Sequence, residues 1–270
     1  MIYSISHHTS FNFENPQKAA MQRFHLIPIS NISQQVLEWK IEIQGGSVEL
    51  ETTDFHGNSV QLCRQDPSAD SLIISSKGKV EVTNNDGIVG PHKSAVPLAL
   101  FKRSTSLSRP GPRLRKLARE IEIWQNLSNG TDPALMHHLS AQVCDRISYK
   151  RGMTDVTTSA EQALEVGAGV CQDHVHAFIS IARIFGFPAR YTSGYLMMDL
   201  EKIQTASHAW AEVYLDGLGW VGFDISNSIS PDDRYIKIAS GFDYNDVIPI
   251  SGVRIGTGDE HLSTSIMVEQ

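Results

Sequence analysis

Cys171 is the residue best placed for chemistry. It follows the run Gly167-Ala168-Gly169-Val170, whose glycines free the backbone, and it opens a stretch with Val175, Phe178, Ile179, Ala182 and Phe185 at helical spacing. Gly186 and Pro188 supply the stop. A cysteine on the first turn of a helix meets unpaired backbone N–H groups and about half a positive charge, which favours thiolate over thiol. The same N–H groups can donate to the oxyanion that forms when a thiolate attacks an acyl carbon, and loss of one such donor costs about 3–4 kcal/mol of barrier. The thiolate also needs a partner that protonates a leaving amine and activates the acceptor. His208 opens HAWAEVYL, and Asp224 ends GWVGFD. The turn pair Asp216-Gly217 folds these two segments into a hairpin that returns both residues to one end, where the carboxylate can fix the imidazole tautomer. Taken singly, each residue has an ordinary explanation as a buried small side chain, an incidental histidine or a turn former. Their convergence is what points to a cysteine nucleophile with a histidine base and an aspartate orienter. Cys63 and Cys144 lack such surroundings and read as structural.

The elements that must position these groups are readable from periodicity. Up to about residue 95 apolar residues alternate with polar ones: Tyr3, Ile5, Phe11 and Phe13, then Leu37, Trp39, Ile41 and Ile43, with turns at Gly45-Gly46, Gly57-Asn58 and Asp86-Gly87. That pattern predicts a β-sandwich. A proline-rich stretch then changes the period, so the sequence divides into a β-rich domain over 1–100 and a catalytic domain over 101–270. Residues 113–127 carry Leu114, Leu117, Ile121 and Trp124 on one helical face, and Pro133 opens a second helix with Leu135, Leu139, Val143 and Ile147. His137 and His138 read as core-rim or solvated. Thr158 and Glu161 have the spacing of a capping box for a short helix ending at Gly167. His174 and His176, two apart on a helix, project about 200° apart and cannot chelate one ion, so no metal site is expected.

Composition narrows the partners. The hydrophobic share of 41% and charged share of 20% suit an ordinary globular chain, and a formal charge of −7 argues against nucleic acid or an anionic membrane. No apolar run of about 18 residues is present to span a bilayer. The start MIYSISHHTSFNF lacks the features of a secretory signal, and three widely separated cysteines do not suggest a disulfide framework, so cytoplasm is the expected compartment.

GAGVCQDHVHAF, GFPARYTSGYL, SHAWAEVYLDGLGWVGFD and GFDYNDVIPISG resemble, in order, motifs of the bacterial transglutaminase-like family, over about residues 140–265. FHLIPI and DFHGN resemble the N-terminal domain often joined to it. The resemblance implies an α+β chain with a papain-like catalytic core, a triad of Cys171, His208 and Asp224, a peptide or amide substrate and no required cofactor. By their place in the motifs, Tyr195, Trp210, Asp243 and Tyr244 are expected to line the cleft, and His176 to pack behind the nucleophile. One position departs from the pattern: Ile225 follows Asp224 where the family often has proline. A water acceptor would make a peptidase or amidase and an amine acceptor a transamidase, while a binding module that has lost the chemistry is the alternative from another class.

Overall fold

The computed structural model describes residues 1–15, 17–67, 69–128, 130–198 and 203–270. Strands β1 (Ile2–Phe13), β2 (Ala19–Phe24), β3 (Gln34–Gln44), β4 (Gly46–Thr53), β5 (Ser59–Gln65), β6 (Ser71–Val82) and β7 (Ile88–Gly90) come first. The helical part holds α1 (Pro112–Ser128), α2 (Asp132–Arg146), α3 (Ala160–Val166) and α4 (Cys171–Ile184), with the two-residue strands β8 (Ser148–Tyr149) and β9 (Ala168–Gly169) pairing in parallel beside them. After it run β10 (Ala189–Leu196), β11 (Ile203–Gln204), β12 (His208–Leu215), β13 (Gly219–Phe223) and β14 (Tyr235–Gly241). Last come β15 (Ile250–Ile255) and β16 (Glu260–Glu269).

The strands assemble into two sandwich sheets, ordered β11-β16-β1-β6-β3 and β15-β2-β5-β4, and a third sheet, β14-β10-β12-β13-β7, against which α4 packs. This changes the domain division at residue 100. The β7 strand already belongs to the third sheet, and the C-terminal β15 and β16 return to the sandwich, pairing with β2 and β1. The α-helical unit and its sheet are therefore inserted between the strands of the sandwich. Alternation reveals a strand but not its partner, so the return was invisible locally.

Why α4 sits at the centre follows from its composition. It is buried nearly all round, with Val175, Phe178, Ile179, Ile181 and Ala182 fully enclosed beside the polar Asp173, His174, His176 and Ser180, and each large apolar side chain buried this way stabilises by about 1.5–3 kcal/mol. One core joins these residues to α1, α2 and the third sheet, and extends to Tyr3, Ile5, Val80 and Val82 of the sandwich. The helices are capped locally. Ser159, not Thr158, is the N-cap of α3 and exchanges hydrogen bonds with Gln162. Glu161 is used elsewhere: its carboxylate accepts from the backbone N–H groups of Gly111, Arg113 and Leu114 and so caps α1. Gly167 ends α3 at φ 69°, a left-handed conformation that suits glycine. On the helix rims, His138 stacks on Trp124 at 3.8 Å and His137 meets the edge of Phe223.

Two side-chain amides lock the sandwich to β14, an edge strand with unpaired backbone groups. Gln34 donates to the carbonyl of Lys237 and accepts from its N–H, both at 2.8 Å, and Asn58 does the same with Ser240 at 2.9 Å. Asp54 in turn holds Asn58, which explains the DFHGN run physically: it is a turn that aims one amide at the third sheet. Among the described residues no helix is long and apolar enough to cross a membrane.

Candidate active site

Cys171 is the first residue of α4, so its N–H is one of the helix-start donors without an intrahelical acceptor. Val170 precedes it as N-cap and has no side-chain acceptor to offer. The helix start is instead organised by Asp173, whose Oδ2 accepts from the Val170 N–H at 2.8 Å and from the Thr154 hydroxyl at 2.7 Å. Burial pushes the Asp173 carboxyl up despite those bonds. Gly169 is required here by close approach: a Cβ would lie 2.5 Å from Asp173 Oδ2.

The hairpin of β12 and β13 pairs Ala211 with Phe223 and brings His208 and Asp224 together at its open end. His208 Nε2 donates to Asp224 Oδ2 at 2.6 Å, which leaves Nδ1 as the ring nitrogen for Cys171. Burial opposes a charged ring, but the hydrogen bonds to Asp224 and Cys171 and their negative charge outweigh it and raise the His208 pKa to about 10. Asp224 is fully enclosed, and burial alone would raise its carboxyl. Hydrogen bonds from His208, Tyr235 and Asn227 bring it below the ordinary carboxylate range instead. The Tyr235 hydroxyl and the Asn227 side-chain amide both donate to Oδ2 at 2.7 Å, and the Asn227 N–H donates to Oδ1 at 3.1 Å.

The loop after Asp224 is well anchored even though it lacks the proline. Ile225 is buried in the main core, and Ser226 shares a 2.8 Å hydrogen bond with His174 Nδ1. His174 Nε2 lies 2.7 Å from the Ile147 carbonyl, so this histidine ties the Asp224 loop to the end of α2. His176 points elsewhere. It accepts from the Tyr244 N–H at 3.3 Å and contacts the Tyr191 ring, while burial and the charge of Arg183 hold its pKa near 3. Among the described residues no three His, Cys, Asp or Glu stand where they could hold a metal ion.

Of the four residues expected in the cleft, only Tyr244 lines it. The cleft, ≈470 Å³, is bounded also by Tyr149, Arg151, Gln172, Tyr191 and Asn227 around Cys171 and His208. Tyr195 is buried at the seam of the two units, sharing a 2.7 Å hydrogen bond with His7. Trp210 packs edge-on to Tyr235 and beside the His208 ring, supporting the pair from behind. Asp243 caps the turn Tyr244–Asp246 by accepting the Asn245 N–H at 2.8 Å. Tyr235, Asn227 and Asp173 carry no sequence signal as strong as that of Cys171. Only Asp173, an acid two residues past a helix-opening cysteine, could have been picked out as a capping group. Cys63 is enclosed, its thiol pushed up to about 11 by burial, whereas Cys144 is partly exposed.

A family profile described as the transglutaminase-like superfamily matches residues 117–225, and one described as the bacterial transglutaminase-like N-terminal region matches residues 3–81. The chain belongs to the transglutaminase-like superfamily. Relatives by sequence include an uncharacterized protein of Mycobacterium leprae, 25% identical over 98% of this chain and 97% of its own length. An uncharacterized protein of Mycobacterium tuberculosis is also 25% identical, over 99% of this chain and 91% of its own. A crystal structure from Cytophaga hutchinsonii, described provisionally as a cysteine protease, has a TM-score of 0.76 at 21% identity and covers 100% of this chain and 89% of that one. The same fold is therefore present in both, sandwich included. In this transglutaminase-like chain the family's core profile spans Cys171, His208 and Asp224.

Tyr235 offers a test of how Asp224 is held. In Tyr235→Phe one donor to a buried anion is gone, an interaction of about 1.5–3 kcal/mol when the acceptor is charged. The Asp224 carboxyl then rises, so the acid limb of the rate–pH profile should move to higher pH while the fold, read by its melting temperature, is retained. An unshifted acid limb would remove Tyr235 from the machinery.

Proposed function

We propose that the protein hydrolyses amide or peptide bonds through a thioester on Cys171. The observation that carries this reading is the 2.6 Å bond from His208 to an enclosed Asp224 beside a cysteine that opens a helix. The sulfur attacks the substrate carbonyl, and the oxyanion collects hydrogen bonds from helix-start N–H groups including that of Cys171. When the C–N bond breaks, the proton on His208 passes to the leaving amine. A water then gives its proton to the neutral imidazole and attacks the thioester, releasing the acid and restoring the thiolate with a protonated ring. Asp224 keeps the imidazole in one tautomer throughout and stays ionised.

Hydrolysis is favoured over amine transfer because the cleft opens to solvent. Transfer requires a preorganised acceptor channel that excludes water while admitting an amine at far lower concentration. The test supplies an acyl donor with and without a millimolar primary amine and partitions the products by mass spectrometry. Free acid should dominate at neutral pH in both arms. A dominant amine adduct would make the chain a transamidase.

A further inference from the structure

The catalytic cleft continues past its own wall. Thr205, Ala206, Ser207 and Tyr244 close it on one side and also form one side of a second groove, again ≈470 Å³. How the strands contribute to that groove reveals its shape. From β1 and β16 come only alternate residues, Thr9 and Phe11 beside their paired Thr264 and Leu262, so one face of the five-stranded sheet is the floor. From β15 come five residues in succession, Ile250 to Arg254. A strand presents consecutive residues only along its edge, so the β15 backbone is the wall. That strand is the outermost of its sheet, and among the described residues only β2 pairs with it. Two apolar side chains stand exposed on the rim, Val253 at 74% and Leu262 at 60%, beside the ion pair of Arg254 and Glu260.

An unpaired strand edge above a partly apolar floor is a place for an extended peptide to add as a further strand, its backbone bonding the edge and alternate side chains meeting the floor. The shared wall leads straight into His208, so a chain leaving this groove over Ser207 arrives at Cys171. We propose that the substrate is an extended polypeptide, about five residues of which, on one side of the scissile bond, add to the β15 edge. This rests on the reading of Cys171 as the nucleophile.

The test uses alkylation of Cys171, in which the S–C bond forms, the C–Cl bond breaks, chloride leaves and any thiol proton passes to His208. Chloroacetamide is compared with a six-residue peptide of alternating valine and threonine, carrying the chloroacetyl group at its amino end in one reagent and through a diamine linker at its carboxyl end in another. One of the two peptide reagents should label Cys171 roughly tenfold faster than chloroacetamide or more. Methylating alternate backbone amides, in either phase, should return at least one phase to the chloroacetamide rate. Val253→Asp and Leu262→Asp, both at exposed positions, should do the same while leaving the chloroacetamide rate and the melting temperature unchanged. Equal rates for peptide and chloroacetamide, equal acceleration by N-octyl chloroacetamide, or indifference to both substitutions would overturn the proposal. Failure of chloroacetamide itself to label Cys171 would instead remove the nucleophile reading, and this inference with it.

Discussion

Asp224→Asn should leave a folded protein whose kcat is lower by about four orders of magnitude, the scale seen when a triad carboxylate becomes an amide. The reason lies in the donors that converge on this side chain. Oδ2 accepts from His208, Asn227 and Tyr235 together, which only an anion does comfortably. An asparagine that turns its NH2 toward His208 donates to Nε2 and forces the ring proton onto Nδ1, the nitrogen that must take a proton on the Cys171 side. The size of the side chain hardly changes, so circular dichroism should stay close to wild type, while the melting temperature falls by what the charged His208–Asp224 pair contributes. Wild-type turnover in this variant would exclude Asp224 from the machinery.

His208→Ala should abolish measurable turnover, because no other histidine lines the cleft among the described residues. It should also change the pH dependence of stability. In the folded chain the hydrogen bonds to Asp224 and Cys171 overcome the effect of burial and keep His208 protonated up to about pH 10, against a reference value of 6.5. A raised folded-state value means that the pair's contribution is complete below pH 6.5 and is lost as the pH climbs through about 10. The melting-temperature difference between wild type and His208→Ala should therefore shrink over that window. A difference that grew with pH would contradict the assignment of charge, and residual turnover would point to another base.

The site was legible in the sequence to the extent that it is local. Cys171 is placed by a glycine-rich approach and a helix start, and His208 and Asp224 by a two-residue turn, all decided within a few neighbours. What was not legible depends on distant pairing. Nothing in ISGVRI or EHLSTSIMVE tells that these strands complete the N-terminal sandwich, and Tyr235 and Asn227 reach Asp224 only once the third sheet and its loop exist. Tyr195 and Trp210 were expected in the cleft because of their motifs. Every residue of β10 and nearly every residue of β12 is buried, so alternation carries no mark of which face looks onto the cleft. The capping box was displaced by one residue for a related reason: Thr158-x-x-Glu161 and Ser159-x-x-Gln162 overlap, and the contact of Glu161 with α1 decides between them.

The most direct measurement is to mix the protein with p-nitrophenyl acetate, quench in acid and locate the acetyl group by peptide mass spectrometry. The thioester mechanism predicts a burst of nitrophenol equal to the enzyme concentration, with the acetyl group on Cys171, absent from the buried Cys63 and lost in Cys171→Ala. Release of nitrophenol without acetylation of Cys171, or with the burst intact in Cys171→Ala, would contradict it.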